Sequence, residues 1–377
     1  MPGHIRQRGK GTWELKFDLG RDPLTGKRQV RYVSLKGTKR EAQAELTRRL
    51  AEAQSGTYVD PSKLSVAEFL DRWAQDWVSM NVSPKTGERY GQLLDNQVKP
   101  HVGALPIQKL RPVHLSELYA KLLREGGVDG GPLSARSVGH AHRCLRRALG
   151  HATQWGIITT NPAAVVSPPK VQDKEIQIIR EDEIRNVLGK LKGHLHSIAT
   201  LALATGMRRG ELLALRWIDV DLDAGAIHVE RSLEQTRAGL RFKSPKTKHG
   251  RRSITLPPPA VRELRALRKA QQEQRLALGL GKAPDDALVF PTADGEPRKP
   301  NALTNEWIIA TTATGRRISL HALRHTHASS LIAAGIDILT IGRRLGHAKA
   351  AVTLNVYGHL YASTDDRAAQ VIEALFQ

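Results

Sequence analysis

Near its C-terminal end the chain reads His321-Ala322-Leu323-Arg324-His325-Thr326-His327, then Leu345-Gly346-His347, then Tyr357. These 37 residues bring imidazoles, a guanidinium and a phenol together. An arginine among histidines suits a phosphate better than a metal, because the guanidinium makes paired hydrogen bonds to phosphate oxygens and keeps its charge. A phenol can attack phosphorus and store the energy of the broken bond in a covalent phosphotyrosine. Its ordinary pKa of about 10 leaves well under 1% ionised at neutral pH, so it needs a base or a positive field. His321 or His347 can supply that help. Upstream, Thr205-Gly206-Met207-Arg208-Arg209-Gly210-Glu211 sets a second arginine beside a glycine turn, and Lys243, Lys246 and Lys248 crowd one basic tip. Two guanidiniums can clamp a phosphodiester and offset the charge of a pentavalent transition state. A tip lysine is a reasonable acid for the departing 5′ oxygen, and such a site needs no metal. A metal site on His321, His325 and His327 would want acidic ligands and leave Arg208 and Tyr357 without work.

The elements that must position these groups follow from periodicity. Apolar residues over 328–345 recur at helical spacing with a break at Gly335, which predicts two short helices. One carries Arg324 near its start and one ends before His347. A third, interrupted near Gly358, carries Tyr357. Residues 196–204 form an apolar helix ending at the Gly206 turn, and a new helix runs on through Leu212, Leu213 and Leu215. Residues 226–233 and 252–256 read as strands on either side of the basic tip at 243–250. Residues 285–290 are a short apolar run, and 305–311 look helical.

Toward the N-terminus the composition changes. Residues 162–174, stiffened by three prolines, read as a linker. Before it, Ser65-Val66-Ala67-Glu68 is a capping-box pattern. Ser83-Pro84 opens a second helix, Leu115, Leu118 and Leu122 mark a third, and Ser134 opens a fourth that runs to about Trp155. The fourth sets Arg136, Arg143, Arg146 and Arg147 against Val138, Leu145 and Leu149, a basic face that fits a DNA backbone. Residues 55–63 read as another linker. The module before them has strand-like runs at 12–17 and 29–34, a Pro/Gly turn at 21–27 and a helix from about 38 to 53. Thirteen Lys and Arg oppose seven acids in residues 3–60. A basic sheet of this size fits a DNA groove.

The bulk numbers agree. The 377 residues suit two or three domains. Lys+Arg 58 against Asp+Glu 37 gives a net charge of +21, which points to a polyanionic partner, most often nucleic acid. No apolar run approaches the roughly 18–20 residues that span a bilayer. The basic start lacks the apolar core of a secretory signal. With a single cysteine, Cys144, disulfides within the chain are excluded and a cytoplasmic location is expected. No Gly-rich nucleotide loop supports chemistry driven by ATP or NAD, so no cofactor is expected.

In order and spacing, Thr205-Gly206-Met207-Arg208-x-x-Glu211, Lys246-Thr247, His321-x-x-Arg324-His325, Leu345-Gly346-His347 and Val356-Tyr357 resemble the tyrosine recombinase (phage integrase) family over the last 200 residues. Residues 3–54 resemble the arm-type DNA-binding domain of integrases, and 64–165 their helical core-binding domain, on a weaker signal. The resemblance implies a multidomain, mainly α protein with small β-sheets. A small N-terminal sheet plus helix (1–58) precedes a helical core-binding domain (64–166) and a mixed α+β catalytic domain (175–377). It implies Tyr357 as nucleophile, forming a 3′-phosphotyrosine, and Arg208 and Arg324 holding the phosphate. Lys246 would be general acid, His321 would assist proton transfer and His347 would orient the phosphate. His325, His327 and His359 are expected to stay out of the chemistry, and Tyr361 is a decoy one turn beyond Tyr357. The family exchanges strands through a Holliday junction in a homotetramer on double-stranded DNA. The arm-type module favours integration of a phage or other mobile element, with core-type and arm-type sites, and room for a directionality factor or host DNA-bending protein. Residues 363–377 form an amphipathic pattern, which in this family docks on a neighbouring subunit. The alternative is a DNA-binding regulator that keeps the fold without strand transfer, but every reactive position is filled.

Overall fold

A computed structural model describes residues 3–21, 25–56, 58–127, 129–172, 178–245, 250–358, 372–373 and 376. The chain divides into two compact units, Met1–Gln172 and Asp173–Gln377.

The first unit opens with three antiparallel strands, β1 (Gly3–Gly9), β2 (Thr12–Arg21) and β3 (Arg28–Lys36), in the order β1-β2-β3. Alternation along β2 buries Leu15 and Phe17 against Ala42 and Leu46 of α1 (Lys39–Gln54). Thr38 and Glu41 cap that helix reciprocally. On the open face the register sets His4 beside Lys16 and Lys16 beside Tyr32. β1 is absent from the sequence reading, since only Ile5 in its Gly-His-Ile-Arg-Gln-Arg-Gly run packs inward.

The stretch expected to be a linker at 55–63 is pinned to its surroundings. Arg31 grips Asp60 with two hydrogen bonds of 2.7 and 2.8 Å, and Gln108 bonds the Asp60 carbonyl at 2.8 Å and the Ser62 amide at 3.1 Å. Then α2 (Val66–Trp73), capped by Ser65 and Glu68, runs through a wide π-type turn (Ala74–Val78) into α3 (Ser79–Asn81). A second π-type turn (Leu94–Val98) joins α4 (Pro84–Leu93) to α5 (Lys99–Val102). α6 (Pro112–Glu125) and α7 (Ala135–Gln154) complete a bundle around Phe69, Leu70, Trp73, Leu118 and Leu145. Pro162 and Ala163, expected in the second linker, are buried with that bundle.

The second unit begins with α8 (Glu181–Lys190), α9 (Gly193–Thr205) and the single turn α10 (Arg209–Leu212). β4 (Val220–Asp221), β5 (Ala226–Val229) and β8 (Arg252–Thr255) form one small sheet, while β6 (Ser232–Thr236) and β7 (Gly239–Lys243) form a separate hairpin. The run at 226–233 is therefore broken between two sheets rather than one strand. α11 (Pro258–Ala277), α12 (Pro300–Thr312), α13 (Leu320–Ala333), α14 (Ile338–Leu345) and α15 (Ala350–Tyr357) follow. The apolar run at 285–290 forms no strand; Leu288 makes one isolated bridge to Arg216. The core gathers α9, α11, α12 and the first turn of α13, and a smaller cluster of Ala328, Ile332, Ile341, Leu345 and Tyr357 ties α13, α14 and α15 together.

Candidate active site

Two helix ends build the site. α9 closes on Gly206 (φ 65°) and α14 on Gly346 (φ 67°), both left-handed, the usual way a helix stops and leaves its last carbonyls without intrahelical partners. At Gly206 glycine is also a packing necessity, because a Cβ would sit 2.7 Å from both His327 Cδ2 and Leu345 Cδ2. The freed carbonyls accept from the two guanidiniums. Arg324 on α13 donates from Nη1 to the Gly206 carbonyl (2.6 Å) and from Nη2 to the Leu345 carbonyl (2.8 Å). Arg208, at the N-cap of α10, donates from Nη2 to the Gly346 carbonyl (3.2 Å). Negative helix C-termini thus hold two like charges close together.

The two arginines differ. Arg324 is buried, and among the described residues its fork meets only carbonyls and one imidazole. Burial, then the charge of Arg208, weakens its hold on its proton. Arg208 keeps 42% of its side chain exposed and pairs with Glu211 at 2.9 Å. Glu211 is buried. Its Oε2 takes both the Arg208 backbone N–H (3.0 Å) and Arg252 Nη2 (2.8 Å), while Oε1 takes Arg208 Nη1. Burial pulls its pKa up, but Arg252 and Arg208 outweigh that and hold it below the usual range. Arg252 continues to the Arg344 carbonyl (2.7 Å), stitching β8 to α14.

His347 lies against Arg324, with Nε2 2.9 Å from Arg324 Nη2 and Nδ1 2.7 Å from Thr353 Oγ1. A guanidinium can only donate, so Nε2 accepts and the ring proton sits on Nδ1. Burial, then Arg324, Arg208 and Arg252, push this imidazole down to about 4. Tyr357, the last residue of α15, is 1% exposed, and its hydroxyl lies 2.7 Å from His325 Nδ1. Burial pushes the phenol up to about 12, against the pull of Arg324. His325 is shifted down by burial and then by Arg324. The ring of His321, one turn earlier, stands edge-on to His325 with centroids 4.6 Å apart. Burial, then His325, Arg324 and Arg208, push His321 down to about 4. The residue as a whole is nonetheless exposed, and water there tempers the shift.

Family comparisons bear on the same residues. The phage integrase family matches residues 177–364, and the N-terminal SAM-like domain of phage integrases matches 65–123. A XerC-like tyrosine recombinase of Caldanaerobacter subterraneus subsp. tengcongensis is 27% identical over 389 residues, covering 98% of this chain and 97% of that protein. The chain belongs to the phage integrase family of tyrosine recombinases. Its fold is that of solved family members. The Tn1549 transposon integrase bound to transposon right end DNA superposes with a TM-score of 0.69 at 20% identity, over 83% of this chain and all of that one. A lambda integrase tetramer bound to a Holliday junction gives 0.57 at 21% identity, over 93% and 97%. The chain is a tyrosine-type site-specific recombinase, an enzyme of DNA strand breakage and rejoining.

In this recombinase Arg208, His321, Arg324, His347 and Tyr357 gather in one place, as their spacing predicts. Lys246 and Lys248 lie outside the described residues, as do Tyr361 and His359. Lys243 is held by Glu234 across the β6–β7 hairpin. Glu211 both pairs with Arg208 and caps α10. His327 donates from Nδ1 to the Leu203 carbonyl (2.7 Å) and accepts from Arg344 Nε (3.1 Å), a structural duty. His325, expected to stay out of the chemistry, meets the Tyr357 hydroxyl with its ring. The i, i+4 spacing from His321 was the available signal, since it puts both rings on one helix face. Arg252 was missed as well, because nothing in sequence links it to Glu211. In the first unit, Arg136, Arg143, Arg146 and Arg147 all lie exposed along α7, opposite its buried apolar stripe. Arg147 stacks over Trp77 at 4.5 Å, and Arg143 meets His140 at 2.9 Å.

Proposed function

We propose that the recombinase cuts DNA with Tyr357, leaving a 3′-phosphotyrosine and a free 5′ hydroxyl, and that Arg208 and Arg324 hold the scissile phosphate. The observation that carries this reading is the seating of both guanidiniums on the carbonyls of Gly206, Leu345 and Gly346, beside a tyrosine on the next helix. Among the described residues Arg324 has no carboxylate partner in that seat, so its charge is available to a phosphate entering from the side of Arg208, whose side chain is 42% exposed. Such preorganised charge favours the pentavalent transition state over the ground-state diester. His347 fixes the Arg324 fork through Nε2, and His321, packed edge-on to His325 at the exposed edge, would assist proton transfer. Lys246 is the general acid for the 5′ oxygen in this reading.

The exposed arginines of α7 and the open sheet face of β1–β3 supply two separate basic surfaces, one for core-type and one for arm-type sites on double-stranded DNA. We read residues 1–58, 64–166 and 175–377 as the arm-type, core-binding and catalytic domains. The protein would act as a homotetramer on two DNA sites, exchanging strand pairs through a Holliday junction, and would integrate and excise a phage or other mobile element. A directionality factor or a host bending protein would act on the arm-type arrangement.

The deciding experiment mixes the full chain with a plasmid carrying the DNA that flanks its gene, in EDTA, stops the reaction with detergent and looks for protein attached to DNA. An adduct with wild type and none with Tyr357→Phe is the expected result. An adduct with both moves the nucleophile elsewhere. Tight binding with no adduct from wild type favours a regulator that has lost strand transfer.

A further inference from the structure

Tyr357 presents a difficulty that its neighbours resolve. Burial pushes this phenol up from its ordinary value, so at neutral pH it keeps its proton and its attack needs a base already in contact. Four histidines of this unit lie on α13 and the α14–α15 connection. His347 spends Nε2 on Arg324 and Nδ1 on Thr353. His327 spends both nitrogens on the Leu203 carbonyl and Arg344. His321 meets His325 ring to ring. Among the described residues, His325 alone sets a ring nitrogen against the phenol oxygen, at 2.7 Å, inside the range for direct proton transfer.

Resting on the reading of Tyr357 as nucleophile, we propose that His325 is the general base of the reaction, taking the phenolic proton on Nδ1 during cleavage and returning it during rejoining. In cleavage the Tyr357 Oη–P bond forms and the P–O5′ bond breaks. The phenolic proton moves to His325, and the departing O5′ takes a proton from the general acid. Rejoining reverses each transfer: the 5′ hydroxyl attacks phosphorus and the imidazolium protonates the leaving phenolate. Two features fit the part. Burial, then Arg324, shift His325 toward its neutral form, the form that can accept a proton. Once charged, it sits beside Arg324 on the same helix and is driven to give the proton back, which suits a reaction that must run both ways. The edge-on ring of His321, one turn before it, limits rotation of the base.

The test separates a base from a mere hydrogen-bond partner. The wild-type adduct on gene-flanking DNA maps the scissile phosphate, and duplexes centred on it are then cleaved by wild type, His325→Ala, His325→Asn and Tyr357→Phe. Asparagine keeps an acceptor near the Nδ1 position but has no basicity. Both His325 variants are expected to slow adduct formation about 100-fold or more, with DNA affinity changed by less than about twofold. Sulfur in place of the bridging 5′ oxygen, which removes the need for an acid, leaves that defect in place. Three results overturn the proposal: His325→Ala within about threefold of wild type, His325→Asn at the wild-type rate, or rescue by the sulfur substrate. An adduct with Tyr357→Phe sinks the nucleophile reading itself. NMR of Cζ-labelled tyrosine in the DNA-free chain then tests the contact by itself: the Tyr357 signal shifts in His325→Ala, and an unmoved signal refutes the contact whatever the activity.

Discussion

Arg208, Arg324 and Tyr357 could be read from residue type and spacing, because phosphate chemistry demands those groups. The partners that hold them could not. Glu211 and Arg252 are 41 residues apart, and only the fold reveals that one carboxylate serves both Arg252 and Arg208. Their side chains are 4% and 6% exposed, so Arg252 depends on Glu211 for its buried charge, while Glu211 has Arg208 as well. Glu211→Ala strands Arg252 without a counter-ion, and removing one partner of a buried pair typically costs about 3–5 kcal/mol. Urea unfolding should show a loss of that order, together with weaker cleavage, since Arg208 loses the carboxylate that aims it. Arg252→Met, which removes the other charge but keeps the volume, should leave Glu211 its bonds to Arg208 and cost less. Equal losses in the two variants would argue against this asymmetry. The contact of His325 was hidden for the same reason: its partner, Tyr357, lies 32 residues away on another helix.

Helices were legible in both units where each has a strong stop or start signal: Gly206 and Gly346 at C-termini in the second, Ser65, Ser83 and Ser134 at N-termini in the first. β1 and β7 were not, since neither buries enough apolar side chains to show a period of two. The split of residues 226–233 was hidden because Glu230 and Arg231 interrupt pairing without a glycine or proline to mark it. Gly206 allows a direct test of what its corner contributes. Gly206→Ala adds both left-handed strain and contacts at 2.7 Å, whereas Gly193→Ala (φ 56°) meets nothing within 4 Å. The second should cost about 1–2 kcal/mol and the first clearly more. Gly206→Ala should also reduce cleavage, because its carbonyl seats Arg324. His327 binds the same corner by joining α9, α13 and α14. Burial, then Arg344, pushes it down to about 4. The unfolded imidazole titrates near 6.5, so between these values the unfolded chain binds the extra proton. Stability contributed by neutral His327 is therefore complete above about 6.5 and lost as pH falls toward 4, by an amount on the order of 2 kcal/mol. Unfolding midpoints measured from pH 7 to 4 should fall, and His327→Gln should flatten that slope whatever its effect at pH 7. Glu211 adds its loss only further down, as pH drops through its depressed pKa.

At the scale of the whole chain, the +21 charge was the first sign of a polyanionic partner, but charge alone does not say which surface meets DNA. The structure narrows the choice through placement: α7 buries Val138, Leu145 and Leu149 and so leaves Arg136, Arg143, Arg146 and Arg147 on its outer side. Cation–π contact with Trp77 restrains Arg147 and its bond to Tyr90 adds to that, while Arg146 is exposed and has no such ring contact among the described residues. If these arginines meet phosphates, each contact releases counterions, and the logarithm of affinity falls with the logarithm of salt by about 0.9 per contact. Arg143→Ala with Arg146→Ala should then lower the salt slope by about two and weaken binding to matched and unrelated duplexes alike. Loss of discrimination with an unchanged slope would instead put these side chains at base edges, where hydrogen bonds carry sequence information and release few ions. Either way the measurement is independent of cleavage, because Tyr357→Phe can serve as the binding protein throughout: the variant removes the nucleophile and leaves the charges of α7 untouched.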